Sequence, residues 1–168
     1  MHKTAFLIGA ALLAAPAAAE QQKHNSGQGM AKPHRMQCAA IPAGTPAALF
    51  NRFNAAFATK NPDTVTRLFA RDAVLLATVS NSPRTDPAMI RDYFVSFLKG
   101  SPVGTINTSN VREGCNMLVD MGTWTVALTN QNSGLRNNVK ARYTFVYKYE
   151  DKAWKIAHLH SSMMPVSE

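Results

Sequence analysis

Apolar positions recur at helical spacing in the first part of the chain and alternate in the second. In "TPAALFNRFNAAFATKNPD", Leu49, Phe53, Ala56 and Phe57 fall on one face of a helix. Thr45 is a candidate N-cap, Pro46 suits the first turn, and Asn61-Pro62 stops the run. Asp63 is expected to cap a second short helix, "DTVTRLFA", with Val65, Leu68 and Phe69 turned inward. "AVLLATV" reads as an apolar strand and "SNSPRTDPAM" as a loop of turn formers. Asp86 then caps a third helix, "PAMIRDYFVSFLKG", with Pro87 at its first position. It turns Ile90, Phe94, Phe97 and Leu98 inward and ends at Gly100.

After Pro102 the period drops to two. "VGTINTSNVRE", "CNMLVDMGTWTVALTNQ", "LRNNVKARYTFVYKYE" and "KAWKIAHLHSSMM" are long strands joined by short turns, which predicts antiparallel meander pairing. Tyr143, Phe145, Tyr147 and Tyr149 form one aromatic stripe. In the strand before, Leu118, Trp124, Val126 and Leu128 share a face, and Met117, Val119 and Met121 share the other. Two partly apolar faces imply that both are at least partly covered. With only three helices available, the second cover is expected from another subunit, in a dimer or larger homo-oligomer. Helices first and strands after make the fold class α+β.

The last strand, "AWKIAHLHSSMMP", carries the candidate chemistry. Strict alternation would put Trp154, Ile156, His158, His160 and Ser162 on one face. That face would run from apolar to polar, as at a pocket mouth or a subunit contact. His158 and His160 have the intrinsic pKa of an acid–base group. Asp120, a carboxylate in an otherwise apolar strand, needs a partner and could orient one of them. A structural hydrogen-bond network linking Asp120, the histidines, Ser161, Ser162 and Arg142 is the alternative. Tyr93, Tyr143 and Trp124 could line a pocket or serve as core. Arg84, beside the start of the third helix, could help to bind an anion or only complete a capped turn. A His-x-His pair without a third ligand names no metal site, and no cofactor is implied.

Composition narrows the setting. "MHKTAFLIGAALLAAPAAAE" has a cationic start, an apolar run too short to span a bilayer, and an A-x-A pattern at residues 17–19. Residues 1–19 are therefore expected to be a signal peptide, and the protein to be exported, periplasmic or secreted, with no later transmembrane segment. Residues 20–37 are polar, contain His24 and His34, and read as a flexible leader; residues 38–168 form the domain. Two cysteines, Cys38 and Cys115, in an oxidising compartment suggest one disulfide. The net charge of +8 is scattered, without a basic run interleaved with aromatics, so nucleic acid is not an expected partner.

Helices followed by a long antiparallel sheet resemble the nuclear transport factor 2-like cone. "ARYTFVYKYEDKAWKIAHLHSS", with its basic-acidic turn, Trp and His-x-His, resembles the association (hub) domain of calcium/calmodulin-dependent protein kinase II. "LLATVSNSPRTDPAMIRDYF" and "EGCNMLVDMG" are similar to its stand-alone bacterial relatives, of SnoaL-like or SgcJ/EcaC type. The resemblance spans roughly residues 38–165. It implies an assembling or ligand-binding domain around a modest pocket for a small anionic or aromatic ligand, with Arg142, Tyr143, His158, His160 and Ser162 as candidate ligand contacts. No Gly-rich loop, H-R-D or D-F-G motif is present, so kinase activity is not implied. The hub pattern has an arginine directly after His-x-His and another in the preceding strand. Here Ser161 and Phe145 stand there, with Arg142 nearby on the opposite parity. The competing class is a small SnoaL-like enzyme, such as an isomerase, hydratase or oxidoreductase. In it His158 or His160 would be the base, Asp120 would orient it, and Arg142 would hold an anionic group.

Overall fold

The aromatic stripe of the third long strand is the centre of the core. The computed structural model describes residues 37–165; the signal-peptide reading and residues 20–36 of the leader lie outside the described residues. Its elements are α1 (Thr45–Ala58), α2 (Pro62–Thr66), β1 (Phe69–Leu76), α3 (Pro87–Phe97), β2 (Val103–Gly114), β3 (Met117–Thr129), β4 (Arg136–Glu150) and β5 (Ala153–Met163). The fold is α+β: N-terminal helices packed on one five-stranded sheet of order β1-β5-β4-β3-β2. The last four strands pair antiparallel, as the meander predicts. β1 joins at the edge parallel to β5, which the strand pattern alone does not indicate.

Three local expectations are corrected. Gly44, at φ 87°, is the N-cap of α1, because glycine takes a positive φ at no steric cost. Thr45 instead donates its hydroxyl to the Pro42 carbonyl. The N-cap of α2 is Asn61, whose side-chain oxygen accepts from the Asp63 and Thr64 amides. Asp63 sits in the first turn and pairs with Arg91 at 2.6 Å; that hydrogen bond holds its carboxyl below the usual range. Phe69 belongs to a strand, not to the second helix. The Leu68 carbonyl accepts from the Ile156 amide and Phe69 pairs with Ile156, so sheet pairing overrides helical continuation. β1 accordingly starts earlier than "AVLLATV" suggests. α3 begins as expected, with Asp86 accepting from the Met89 amide at 2.8 Å.

Helices α1 and α3 lie on one face of the sheet. Phe53 packs on Phe57, Phe69, Phe94 and Phe145, and Phe50 meets Trp124 and Phe145 edge-on. Each ring so buried is worth about 1.5–3 kcal/mol of transfer free energy. Asn54 ties α1 to β2 with two bonds, donating to the Gly104 carbonyl and accepting from its amide. Gly104 must be small there: a Cβ would stand 3.0 Å from the Phe50 ring. The Cys38–Cys115 disulfide fastens the start of the described chain to the β2–β3 turn. The Ala39 amide adds a bond to the Asn116 side chain at 2.7 Å.

Candidate functional site

The register of β5 changes partway, and that change decides where its histidines go. Tyr147 pairs with Ile156 but Val146 pairs with His158, leaving Ala157 as a one-residue bulge. Ile156 is buried toward the helices; past the bulge it is Leu159 and Ser161 that are buried there. Ile156 therefore does not share a face with His158, His160 and Ser162, as strict alternation would have it. The histidines sit on the face away from the helices.

On that outer face the strands align side chains in rows. Arg112, Val119, Val146, His158 and Val74 form one row across the five strands, and Asn110, Met121, Thr144, His160 and Leu76 the next. Thr123, Arg142 and Ser162 follow. His158 Nδ1 lies 3.0 Å from the Val74 carbonyl. A carbonyl only accepts, so Nδ1 is the donor in this contact. The two imidazoles are 6.5 Å apart between centroids. Arg142 is exposed and bonds the Met163 carbonyl at 3.3 Å. None of Val74, Leu76, Val119, Met121 or Val146 belongs to the helix-packed core or to the side chains packed against it.

Asp120 lies on the opposite face, in the row of Val111, Phe145, Leu159 and Leu75. It is only 3% exposed. Its partners are Ser109, donating at 2.6 Å, and Tyr143, whose hydroxyl lies 3.1 Å from both Asp120 Oδ1 and the Thr108 carbonyl. Burial first, and the Asp120 charge second, push the Tyr143 hydroxyl well above its ordinary pKa, so it stays a donor. Asp120 thus orients neither histidine. The sheet separates them, and the catalytic constellation of His158 or His160, Asp120 and Arg142 is not brought together.

A recess lies on the helix side of the sheet. It has an empty volume of about 480 Å³ including its mouth, with Phe53, Tyr93, Phe97, Trp124, Val126 and Leu128 among its walls. Its polar groups cluster at Ser161. The Ser161 hydroxyl oxygen accepts from Trp124 Nε1 at 3.1 Å and from the Thr78 hydroxyl, leaving its own hydrogen to donate. Tyr93 also lines it, and burial raises that phenol well above its usual range. No arginine, lysine or histidine lines the recess. Its free interior is only about 30 Å³, room for about one water, and the anionic ligand expected from the resemblance finds no counter-charge there. Of the expected ligand contacts, Tyr143 lies on the helix side and Arg142, His158, His160 and Ser162 on the outer face. Ser161 enters the sequence reading as a member of a hydrogen-bond network and not as a pocket residue, and Thr78, at the close of "AVLLATV", carries no local signal of a pocket. Arg84 turns back on its own loop, bonding Ser80 and the Ser82 carbonyl.

The model of the calcium/calmodulin dependent protein kinase II association domain matches residues 46–165. The chain belongs to that association-domain family. A protein from Xanthomonas campestris named for the same association domain is 46% identical, with a TM-score of 0.70, covering 79% of this chain and 97% of that one. A nuclear transport factor 2-like superfamily protein from Salmonella enterica serovar Typhimurium is 13% identical, with a TM-score of 0.63, over 72% of this chain and 89% of that one. One from Streptomyces avermitilis, named as a dehydratase of the nuclear transport factor 2-like family, is 10% identical, with a TM-score of 0.64, over 72% and 95%. These last two share the fold alone. No curated protein matches the chain in sequence. In this association domain no group of three or more His, Cys, Asp or Glu could hold a metal among the described residues. Nor is any described helix long and apolar enough to cross a membrane.

Proposed function

We propose that the protein is an exported association domain that forms a dimer or larger homo-oligomer by burying the outer face of its sheet against a second copy. One observation carries this reading. Val119, Met121 and Val146 on β3 and β4, and Val74 and Leu76 on β1, are apolar positions of the outer face that no helix covers, with His158 and His160 of β5 between the two groups. Membership of an association-domain family names the occupant: another protomer. His158, His160 and Thr144 put polar groups within that contact, and Arg142 and Ser162 lie at its end. Export is supported by the Cys38–Cys115 disulfide, a bond that persists in oxidising compartments, and by the signal-like pattern of residues 1–19. The test is sedimentation of wild type against Val146→Lys. A charge at the middle of the patch abolishes association while leaving the circular dichroism unchanged.

The helix-side recess supports a second property, retention of a small uncharged molecule, for which its aromatic walls must open because its free interior is only about 30 Å³. Its walls are apolar, and one hydroxyl hydrogen on Ser161 is available to a ligand oxygen. Catalysis is less well supported. The recess has no general base: its polar residues are Ser161, Thr78 and a phenol held protonated. Native mass spectrometry of protein from its own host reads subunit number and retained ligand together. A bare monomer there contradicts both readings.

A further inference from the structure

Asp120 is a buried carboxylate without a cation. The three ion pairs among the described residues are Asp63–Arg91, Lys148–Asp72 and Lys148–Glu150, and none involves it. This is unexpected in a chain with 18 basic and 10 acidic residues, since buried charges are ordinarily paired. Both of its hydrogen-bond donors, Ser109 and Tyr143, serve Oδ1. Oδ2 accepts from no donor among the described residues, although only 3% of the residue is exposed.

The open oxygen has a place to look. Asp120 lines a groove between α1 and β2, separate from the aromatic recess, with an empty volume of about 660 Å³ including its open side. Phe50, Ala47 and Ile106 give this groove apolar walls, and Asn51 and Thr105 add polar ones. No lysine or arginine lines it. Asn54, at its edge, is already committed to Gly104 and holds the two walls together.

We propose that this groove is a binding site for a small primary amine. Its ammonium sits on Asp120 Oδ2 and its alkyl stem lies along Phe50 and Ile106. The chemistry selects the class. A guanidinium presents a planar fork that wants both carboxylate oxygens, and here one is already doubly occupied. A compact ammonium needs a single charged acceptor and gives its remaining hydrogens to neighbours such as the Asn51 side-chain oxygen. The stem replaces water on the apolar walls. The site is independent of assembly, because groove and outer patch lie on opposite faces of the sheet.

The test is a titration of the isotope-labelled full chain with n-butylammonium chloride, followed by amide NMR. Saturable shifts centred on Thr105, Ser109 and Asp120 are expected, with a millimolar dissociation constant. n-Butanol and guanidinium chloride should give at least tenfold weaker responses. Asp120→Asn should weaken butylammonium binding at least tenfold. Ala47→Trp, which fills the groove from an exposed helix position, should do the same without touching the carboxylate, and keeps the test decisive should Asp120→Asn fail to fold. An Nα-acetyl-lysine amide should bind no better than butylammonium. Four results would each overturn the proposal: no saturable shift, equal response to butanol, wild-type binding by Ala47→Trp, or tenfold tighter binding of the lysine amide, which would point to a docked polypeptide instead.

Discussion

Removing the Cys38–Cys115 bridge tests how the first described residues are held to the sheet. The two cysteines are 77 residues apart in sequence, and the bridge closes that stretch into a loop containing all three helices and β1 and β2. In the chain-entropy model such a loop restricts the unfolded chain by about 4.5 kcal/mol at room temperature. Little else ties residues 37–44 down: the Ala39–Asn116 hydrogen bond and the packing of Ile41 on the core. The unfolded-state effect should therefore dominate over lost native contacts. The assay is guanidinium denaturation of oxidised wild type against Cys38→Ser/Cys115→Ser. With a slope of about 4 kcal/mol per molar for a domain of this size, the midpoint should fall by about 1 M, with the slope somewhat steeper because the unlinked chain exposes more surface on unfolding. A fall of less than about 0.2 M would refute the reasoning. So would two reactive thiols in denatured, unreduced wild type.

Three further substitutions probe the sheet. Gly122 pairs with Ser109, two residues past the β2 bulge at Asn107, and a Cβ there would stand 2.0 Å from the Thr108 carbonyl oxygen. Because that obstacle is backbone, Gly122→Ala should cost about 3 kcal/mol or more and lower the melting temperature by about 10 °C; an unchanged temperature would contradict the close approach. Ser161→Ala removes the acceptor of the buried Trp124 indole N–H, and should cost about 1–3 kcal/mol and shift that proton's NMR resonance. Ser162→Ala, one residue on but facing out, should leave both unchanged; equal effects would contradict the register of β5.

The parts of the fold set by local periodicity were legible. The alternation of Tyr143, Phe145 and Tyr147 against Thr144 and Val146 requires only that the strand stay regular, and all three aromatics are buried. The Asp86 cap and Pro87 fix the start of α3 from adjacent residues alone. The features missed depend on partners far along the chain. Ala157 gives no glycine or proline signal that it bulges; only the pairing of Tyr147 with Ile156 and Val146 with His158 reveals it. That one residue moves both histidines from the helix side to the outer face, and with them the candidate site. Phe69 has the spacing of a helical core residue until Ile156 claims it for the sheet. Asp120 found its partners in Ser109 and Tyr143, not in a histidine, because β2 and β4 bring those side chains to the same face. The recess joins Thr78, Trp124 and Ser161, three residues that no short motif connects.

Sedimentation equilibrium at micromolar concentration, on wild type and Val146→Lys side by side, tests the assembly reading most directly. Wild type should show at least twice the protomer mass and Val146→Lys the protomer mass, with equal circular dichroism. A monomeric wild type, or a variant that associates as wild type does, would contradict it.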